Sequence, residues 1–322
     1  MSAQVFAADP PAPARVVVGG EALVDLVPVS HTPLALLAPC LGGGPFNVAV
    51  TLGRLGVPTA FCSRVSTDGF GAAIVDHLTI AGVDTSLVER GVEPSTIAVV
   101  SLGEHGSASY SFYVDGTADR LVADPGPLPG HVAAVSLGTL GMLLEPGASV
   151  YEEVLHREHA AGRLTVLDPN IRPALIADPQ SYRARFASWL PSVDILKLSD
   201  DDADWLQGSP EQWLHEGVSA VVLTRGAQGL RVHTTDRRVD VPGARVRVAD
   251  TIGAGDTVHG ALLAWLDTTG ALDRASVRAM DAETWRRALG FVAQAAGITV
   301  SRPGADPPWK AELQEELQHE LQ

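Results

Sequence analysis

Asp250-Thr251-Ile252-Gly253-Ala254-Gly255-Asp256-Thr257 is the stretch from which the rest of the chain is read. Its glycines permit a tight turn, and the residues that follow, as far as Trp265, carry helical spacing. Successive N–H groups at such a helix start converge on one point and, helped by the helix dipole, hold an oxyanion. Asp256 falls in the first helical turn beside that point, where a carboxylate can take a proton from a hydroxyl. Taken alone, the same aspartate reads first as a residue that complements the dipole.

Upstream, aliphatic runs alternate with helical ones. Arg15 to Gly20 reads as a buried first strand ending in glycine; the third glycine of a dinucleotide fingerprint is missing and no helix pattern follows directly. Glu21 to Pro28 reads as a strand turning outward, with Asp25 near its start. Gly42-Gly43-Gly44-Pro45 opens a helix over Phe46 to Leu55, Thr59 to Val65 is a strand, and Asp68-Gly69-Phe70-Gly71 begins a helix ending near Gly82. Residues 95–102 and 107–114 read as a hairpin joined by Gly103-Glu104-His105-Gly106. Val132–Leu137, Leu164–Asp168, Ile195–Leu198 and Ala220–Thr224 are further strands, Gln228–Arg247 a polar β-meander, and Trp285–Ala296 a helix. The strands from 132 onward end in polar residues: Gly138-Thr139, Asp168-Pro169-Asn170, Ser199-Asp200 and Thr224-Arg225-Gly226. Open α/β sheets bind their ligands at the carboxyl ends of parallel strands. The pattern predicts an α/β fold, with no internal repeat and no clean linker.

The chain has 322 residues, 46% of them hydrophobic, and a net charge of −15. That charge argues against a general nucleic-acid or anionic-membrane binder, which needs a basic face. It leaves room for a phosphate-bearing ligand held by backbone N–H groups. Cys40 and Cys62 form no Cys-x-x-Cys pattern, and a reducing, cytoplasmic setting fits them. The Ala- and Pro-rich residues 1–14 read as a disordered leader without the features of a signal peptide. No apolar run reaches the length of a membrane span. The histidines, among them His31, His105 and His233, show no metal-ligand spacing and read as surface or packing residues.

A second, distant segment adds to the glycine loop. Gly42-Gly43-Gly44-Pro45-Phe46-Asn47-Val48-Ala49, then Leu52-Gly53-Arg54-Leu55-Gly56, then Asp68-Gly69-Phe70-Gly71, resembles the N-terminal signature of the PfkB (ribokinase-like) carbohydrate kinases. Asp250 to Leu263 resembles their C-terminal signature, with Val258-His259 in place of the usual aromatic-type continuation and Ile252 where a small or polar residue is common. The resemblance runs from about Arg15 to Trp309. It implies one kinase domain over 15–322, a three-layer α/β sandwich around a mostly parallel sheet, with a small β lid from about 22–40 and 95–118. It also implies transfer of a phosphoryl group from ATP to a sugar hydroxyl.

Carried over position by position, the resemblance makes Asp256 the base and the backbone of Gly253, Ala254 and Gly255 the anion hole. Thr224, Gly226, Ala227 and Gly229 look like the family's nucleotide turn, against the plainer reading of a strand-to-hairpin turn. Lys197-Leu198-Ser199-Asp200-Asp201-Asp202 stands where the family carries its Asn-x-x-Glu motif. There Asp202 would hold Mg²⁺ through water and Lys197 and Ser199 would face the nucleotide; a helix N-cap at Ser199 explains the same residues. Asp25, Gly43, Gly44 and Asn47 would meet the sugar, Asn47 also being open to a capping role. Glu145 aligns loosely with a sugar-contacting acid. Asp250, Ile252, Thr299 and Gly304 would supply a monovalent cation site for K⁺, unless Asp250 only caps its loop.

Gly20 to Asp25, Phe112-Tyr113 with Gly116 to Asp119, and Asp168-Pro169-Asn170-Ile171-Arg172-Pro173 look most like bacterial fructokinases. The last of these also occurs in 2-keto-3-deoxygluconate kinases, and ribose or nucleoside kinases belong to the same family. Asn170 and Arg172 would reach phosphate, and Arg172 the acceptor as well; a guanidinium suits a phosphate or a carboxylate equally, and an ion pair with Asp168 or Asp178 is the plainer role. Phe112 and Tyr113 would cover the sugar as part of the lid. The 95–114 hairpin suits either pairing with a second copy or a monomeric flap. A non-catalytic sugar sensor is disfavoured by the intact Gly-Ala-Gly-Asp segment.

Overall fold

Val16, Val17 and Val18 are all buried, as a strand covered on both faces requires. Period two divides them: Val16 and Val18 join one core cluster, and Val17 joins the other. The computed structural model shows the same division along the inner strands of the central sheet. It describes residues 12–30, 32, 34–102 and 108–319. Most of the expected leader, the Gly103–Gly106 turn, His31 and His105 lie outside the described residues.

In chain order the elements are β1 (Val16–Gly19), β2 (Leu23–Pro28), β3 (Leu37–Gly42), α1 (Gly44–Arg54), β4 (Thr59–Ser66), α2 (Gly69–Ile80), β5 (Val88–Gly91), β6 (Thr96–Leu102) and β7 (Ala108–Tyr113). There follow β8 (Ala134–Gly138), α3 (Gly147–Ala160), β9 (Leu164–Asp168), α4 (Pro179–Trp189), β10 (Ile195–Ser199), α5 (Asp200–Leu206), α6 (Pro210–His215) and β11 (Ala220–Thr224). The chain ends with β12 (Leu230–His233), β13 (Arg238–Val241), α7 (Ala254–Thr268), α8 (Arg274–Ala279), α9 (Ala282–Val300) and α10 (Lys310–His319). Nine strands form one sheet in the order β13-β12-β11-β10-β9-β8-β1-β4-β5. From β11 to β5 the pairings are parallel; only β12 is reversed, pairing antiparallel with both β11 and β13. The expected meander stops at Val241; residues 242–249 make no strand.

One face of the sheet packs on α1, α2, α7 and α9 through Phe46, Leu52, Ile74, Leu262, Trp285 and Leu289. The other packs on α3, α4 and α6 through Tyr151, Leu155, Phe186, Trp189 and Trp213. That makes three layers. A separate four-stranded sheet, in the order β3-β2-β6-β7, stands beside the carboxyl end of β1. The chain leaves β1 first toward β4 and β5, then returns to its other side at β8. The strand order therefore reverses about β1, where open α/β sheets leave a crevice.

Glu21 ties the crevice together. It follows β1, is 2% exposed, and its carboxyl accepts from Gly44 N at 3.1 Å and Gly141 N at 2.9 Å. One buried group thus fixes the start of α1 to the segment after β8. Burial, against the pull of these backbone N–H groups, lifts its pKa from an ordinary 4.5 to about 8. The folded chain therefore keeps a proton that the unfolded chain releases, so this residue's contribution to stability falls as pH rises through the window from 4.5 to about 8. Glu21→Gln removes that titration. In urea unfolding series, the stability of the variant relative to the parent is expected to rise steadily between these pH values; parallel curves would refute the assignment.

Candidate active site

Three adjacent strands each place a polar residue near their carboxyl ends on the α7 face of the sheet: Ser136 on β8, Asp168 on β9 and Lys197 on β10. They share that face because each is an even number of residues from a partner in the same core cluster, Ala134, Val166 and Ile195. Lys197 Nζ donates to Asp168 Oδ2 at 2.6 Å, and both side chains are buried. Burial alone would discharge each; their mutual attraction outweighs it, raising Lys197 and lowering Asp168.

Asp256 comes down onto this pair from the first turn of α7. Gly253 at the N-cap has φ 75°, a left-handed conformation that suits glycine, and a Cβ there would lie 2.5 Å from that of Ala305. The turn therefore demands glycine twice over. Asp256 is 9% exposed, and its carboxylate accepts from Asn47 Nδ2 at 2.8 Å. Burial pushes its pKa above the ordinary value, while Lys197 and the Asn47 amide pull it back. Asn47 lies within α1, whose N-cap is Gly43, so its amide serves the aspartate and not the helix end.

A cavity of about 590 Å³ opens over Asp256, within the usual range for small-molecule sites. Asp25, Gly43, Gly44, Asn47, Phe112, Asn170, Arg172, Lys197, Ser199, Asp202, Thr224, Ile252, Gly253 and Gly255 all line it. Burial, opposed by Arg172 and reinforced by Asp256, lifts the Asp25 pKa to about 6. Arg172 donates to the Asn170 carbonyl at 2.9 Å and its side-chain oxygen at 2.6 Å; it makes no ion pair with Asp168 or Asp178, and Asp178 caps α4. Asn170 and Thr139, both lining the cavity, have φ of 37° and 53°, and for a β-branched threonine that is a strained conformation.

Two expected sugar contacts are corrected. Tyr113 is 63% exposed and does not line the cavity. The side chains that do are Tyr110 and Phe112, whose rings stack at 6.0 Å; the pleat puts 110 and 112 on one face and 113 on the other. Glu145 is also outside. Its carboxylate binds Arg185 at 2.6 Å and Ser149 N at 3.1 Å, at the start of α3. Sequence reading also passed over Glu21, Tyr110, Thr139, Thr251 and Asp201 as cavity-lining residues. Period two within β7 points to Tyr110, the polar end of β8 to Thr139, and the two motif segments contain Thr251 and Asp201; Glu21 alone carries no local signal.

At the far end, Gly226–Gln228 form a 3₁₀ turn closed by Gly229 at φ 85°. Thr224 lines the cavity, while Gly226, Ala227, Gly229 and Ala254 are outside its lining. Ser199 and Asp202 make a full capping box, and Asp202 Oδ1 also accepts from Ile171 N at 2.8 Å. Asp250 accepts from Ile252 N at 3.1 Å and from Gly304 N at 2.8 Å, so it does cap its loop. Thr299 is buried, its hydroxyl 3.0 Å from that of Thr257. No group of three or more His, Cys, Asp or Glu among the described residues is placed to hold a metal ion, and no described helix is long and apolar enough to cross a membrane.

The arrangement has relatives. Residues 14–312 match the model of the pfkB family carbohydrate kinases. A fructokinase of Rhizobium leguminosarum bv. trifolii is 41% identical over 276 residues, covering 83% of this chain and 84% of its own. An Escherichia coli fructokinase is 30% identical over 94% of this chain and 99% of its own. Among solved structures, a fructokinase with bound ATP from Xylella fastidiosa superposes with a TM-score of 0.87 at 28% identity, over 95% of this chain and 99% of that one. A Vibrio cholerae O395 fructokinase in its fructose, ADP and calcium ion bound form gives 0.79 at 28%, over 94% and 98%. With a family match along nearly its whole length and a fold to agree, this chain belongs to the pfkB family of carbohydrate kinases.

Proposed function

We propose that the protein transfers the γ-phosphoryl group of ATP to D-fructose, giving fructose 6-phosphate, with Asp256 as the base. The observation that carries this reading is the buried Asp256 carboxylate at a helix N-terminus, between a wall of polyol-binding groups and a glycine-rich turn. The fructokinase relatives support the choice of sugar.

Asp25, Asn47 and the backbone around Gly43 and Gly44 suit vicinal hydroxyls, with Tyr110 and Phe112 covering them. The phosphates would lie along Thr224 and the turn to Gly229. Gly229 backs onto Val241 and Gly243, which line a second cavity of about 380 Å³ with Val246, Gly290 and Ala293, room for a flat base. In the transfer, the sugar hydroxyl gives its proton to Asp256 as its oxygen bonds to the γ-phosphorus and the bond to ADP breaks. The N–H groups at the start of α7 take up the charge that develops. Magnesium would neutralise phosphate charge. Asp202, its oxygens already engaged by Ile171 and Ser199, suits a hold through water, with Asp201 beside it in the lining. A K⁺ site would draw on the carbonyls of Ile252, Thr299 and Gly304, beside an Asp250 that caps its loop at Ile252 and Gly304. The two free cysteines support a reducing compartment such as the cytoplasm.

Arg172 in the lining favours a second acceptor class, sugar acids such as 2-keto-3-deoxygluconate. Against it stand the carboxyls of Asp25 and Asp256 in the same lining, which repel a carboxylate and suit a neutral polyol. A coupled ADP-release assay over fructose, ribose, a nucleoside and 2-keto-3-deoxygluconate, with and without K⁺, should give fructose the highest kcat/KM. Activity on the sugar acid but not on fructose would overturn that choice. Asp256→Asn should keep nucleotide binding and lose at least about a hundredfold in kcat; a near-normal rate would remove Asp256 from the role of base.

A further inference from the structure

His259 lies one turn beyond Asp256 on the same face of α7, and it is 1% exposed. Its Nε2 meets Ser136 Oγ at 3.0 Å. Its Nδ1 is 3.9 Å from Asp168 Oδ2, too long for a direct hydrogen bond. Neither His259 Nδ1 nor Asp168 Oδ1 has a hydrogen-bond partner among the described residues. Buried polar atoms left in this way are uncommon and costly. Both side chains line a small cavity of about 10 Å³, and Asp256 lines it too. That is about the space one water centre takes, and the polar groups around it are what holds a buried water. Asn47 binds Asp256 Oδ2, which leaves the rest of the carboxylate to be fixed from the other side.

Resting on the kinase reading above, we propose that His259 is a positioning residue for the base: its Nδ1 and Asp168 Oδ1 hold one water that in turn holds the Asp256 carboxylate. The base is then gripped at two points, by the Asn47 amide and by this water, so that a free lone pair is turned to the acceptor hydroxyl. Tight orientation of a reacting group is worth a large part of a barrier. The charged groups that face Asp256 are Lys197 on β10, Asp168 at the end of β9, Arg172 just after it, and Asp25 on β2. The part of α1 that lines the cavity, Gly44, Pro45 and Val48, brings none. A hydrogen bond to the ionised form favours that form, so losing the water should move the acid limb of kcat/KM to higher pH.

Two substitutions separate this role from packing. Asparagine places an amide where Nδ1 lies, and glutamine places one where Nε2 lies. His259→Asn should keep kcat within about threefold of the parent. His259→Gln should keep the Ser136 contact yet lose about tenfold in kcat, with KM values for sugar and nucleotide unchanged and the acid limb displaced upward. Equal behaviour of the two variants, or a glutamine variant with parental kcat and pH profile, would overturn the proposal. A high-resolution crystal structure of the unaltered protein gives a test that needs no variant: a water within hydrogen-bond distance of His259 Nδ1 and the Asp256 carboxylate is expected, and a dry cavity refutes it. Asp256→Asn assayed alongside keeps the two readings apart. Retained turnover there defeats the base assignment itself, whereas a dead Asp256→Asn with no difference between the His259 variants defeats only the water.

Discussion

Burying a carboxylate that must work as a base creates a conflict. Away from water, Asp256 would hold its proton and be useless for accepting another. The Lys197 partner of the 2.6 Å ion pair with Asp168 beneath it eases the conflict, although burial still holds the Asp256 pKa above its ordinary value. The lysine's field favours the ionised aspartate, and Asp168 keeps the lysine charged. The three groups together carry one net negative charge when Asp256 is ionised and none when it has taken a proton. Proton uptake thus relieves charge in a place where unbalanced charge is expensive.

The rest of the fold serves this arrangement. Parallel strands covered on both faces deliver Asp168 and Lys197 at neighbouring carboxyl ends without exposing them. The glycine turn at Gly253 lets α7 start directly above them. Glu21 fixes the start of α1, whose Asn47 completes the grip on Asp256. The small sheet brings Asp25, Tyr110 and Phe112 over the same spot from the far side. These devices are costly by themselves: a raised carboxyl at Glu21, a left-handed threonine at Thr139, a buried charge cluster. Such costs concentrate where function is.

Much of this is legible in the sequence. The alternation of apolar runs with helical segments gives the α/β class, because period two and period 3.6 differ over short windows. The strand ends stand out because Asp168, Ser199 and Thr224 interrupt otherwise aliphatic runs. The Gly-Ala-Gly-Asp segment advertises a helix start with an acid in it. Contacts made across the fold are what the sequence hides. Nothing local marks Glu21 as the group that binds Gly44 and Gly141, or pairs Lys197 with Asp168 across strands 29 residues apart. Glu145 misleads for the same reason: its partner, Arg185, lies 40 residues away on α4. Tyr113 is adjacent to Phe112 in sequence, but period two puts it on the opposite face of β7, while Tyr110 shares the Phe112 side.

The pH dependence of kcat/KM for the sugar, measured in the parent and in Lys197→Met, bears most directly on the central claim. If the lysine keeps the buried base ionised, its removal raises the Asp256 pKa, and the acid limb moves to higher pH. The rate at alkaline pH should then recover toward the parent's. An acid limb that stays where it was would show that Asp256 does not depend on Lys197 for its charge.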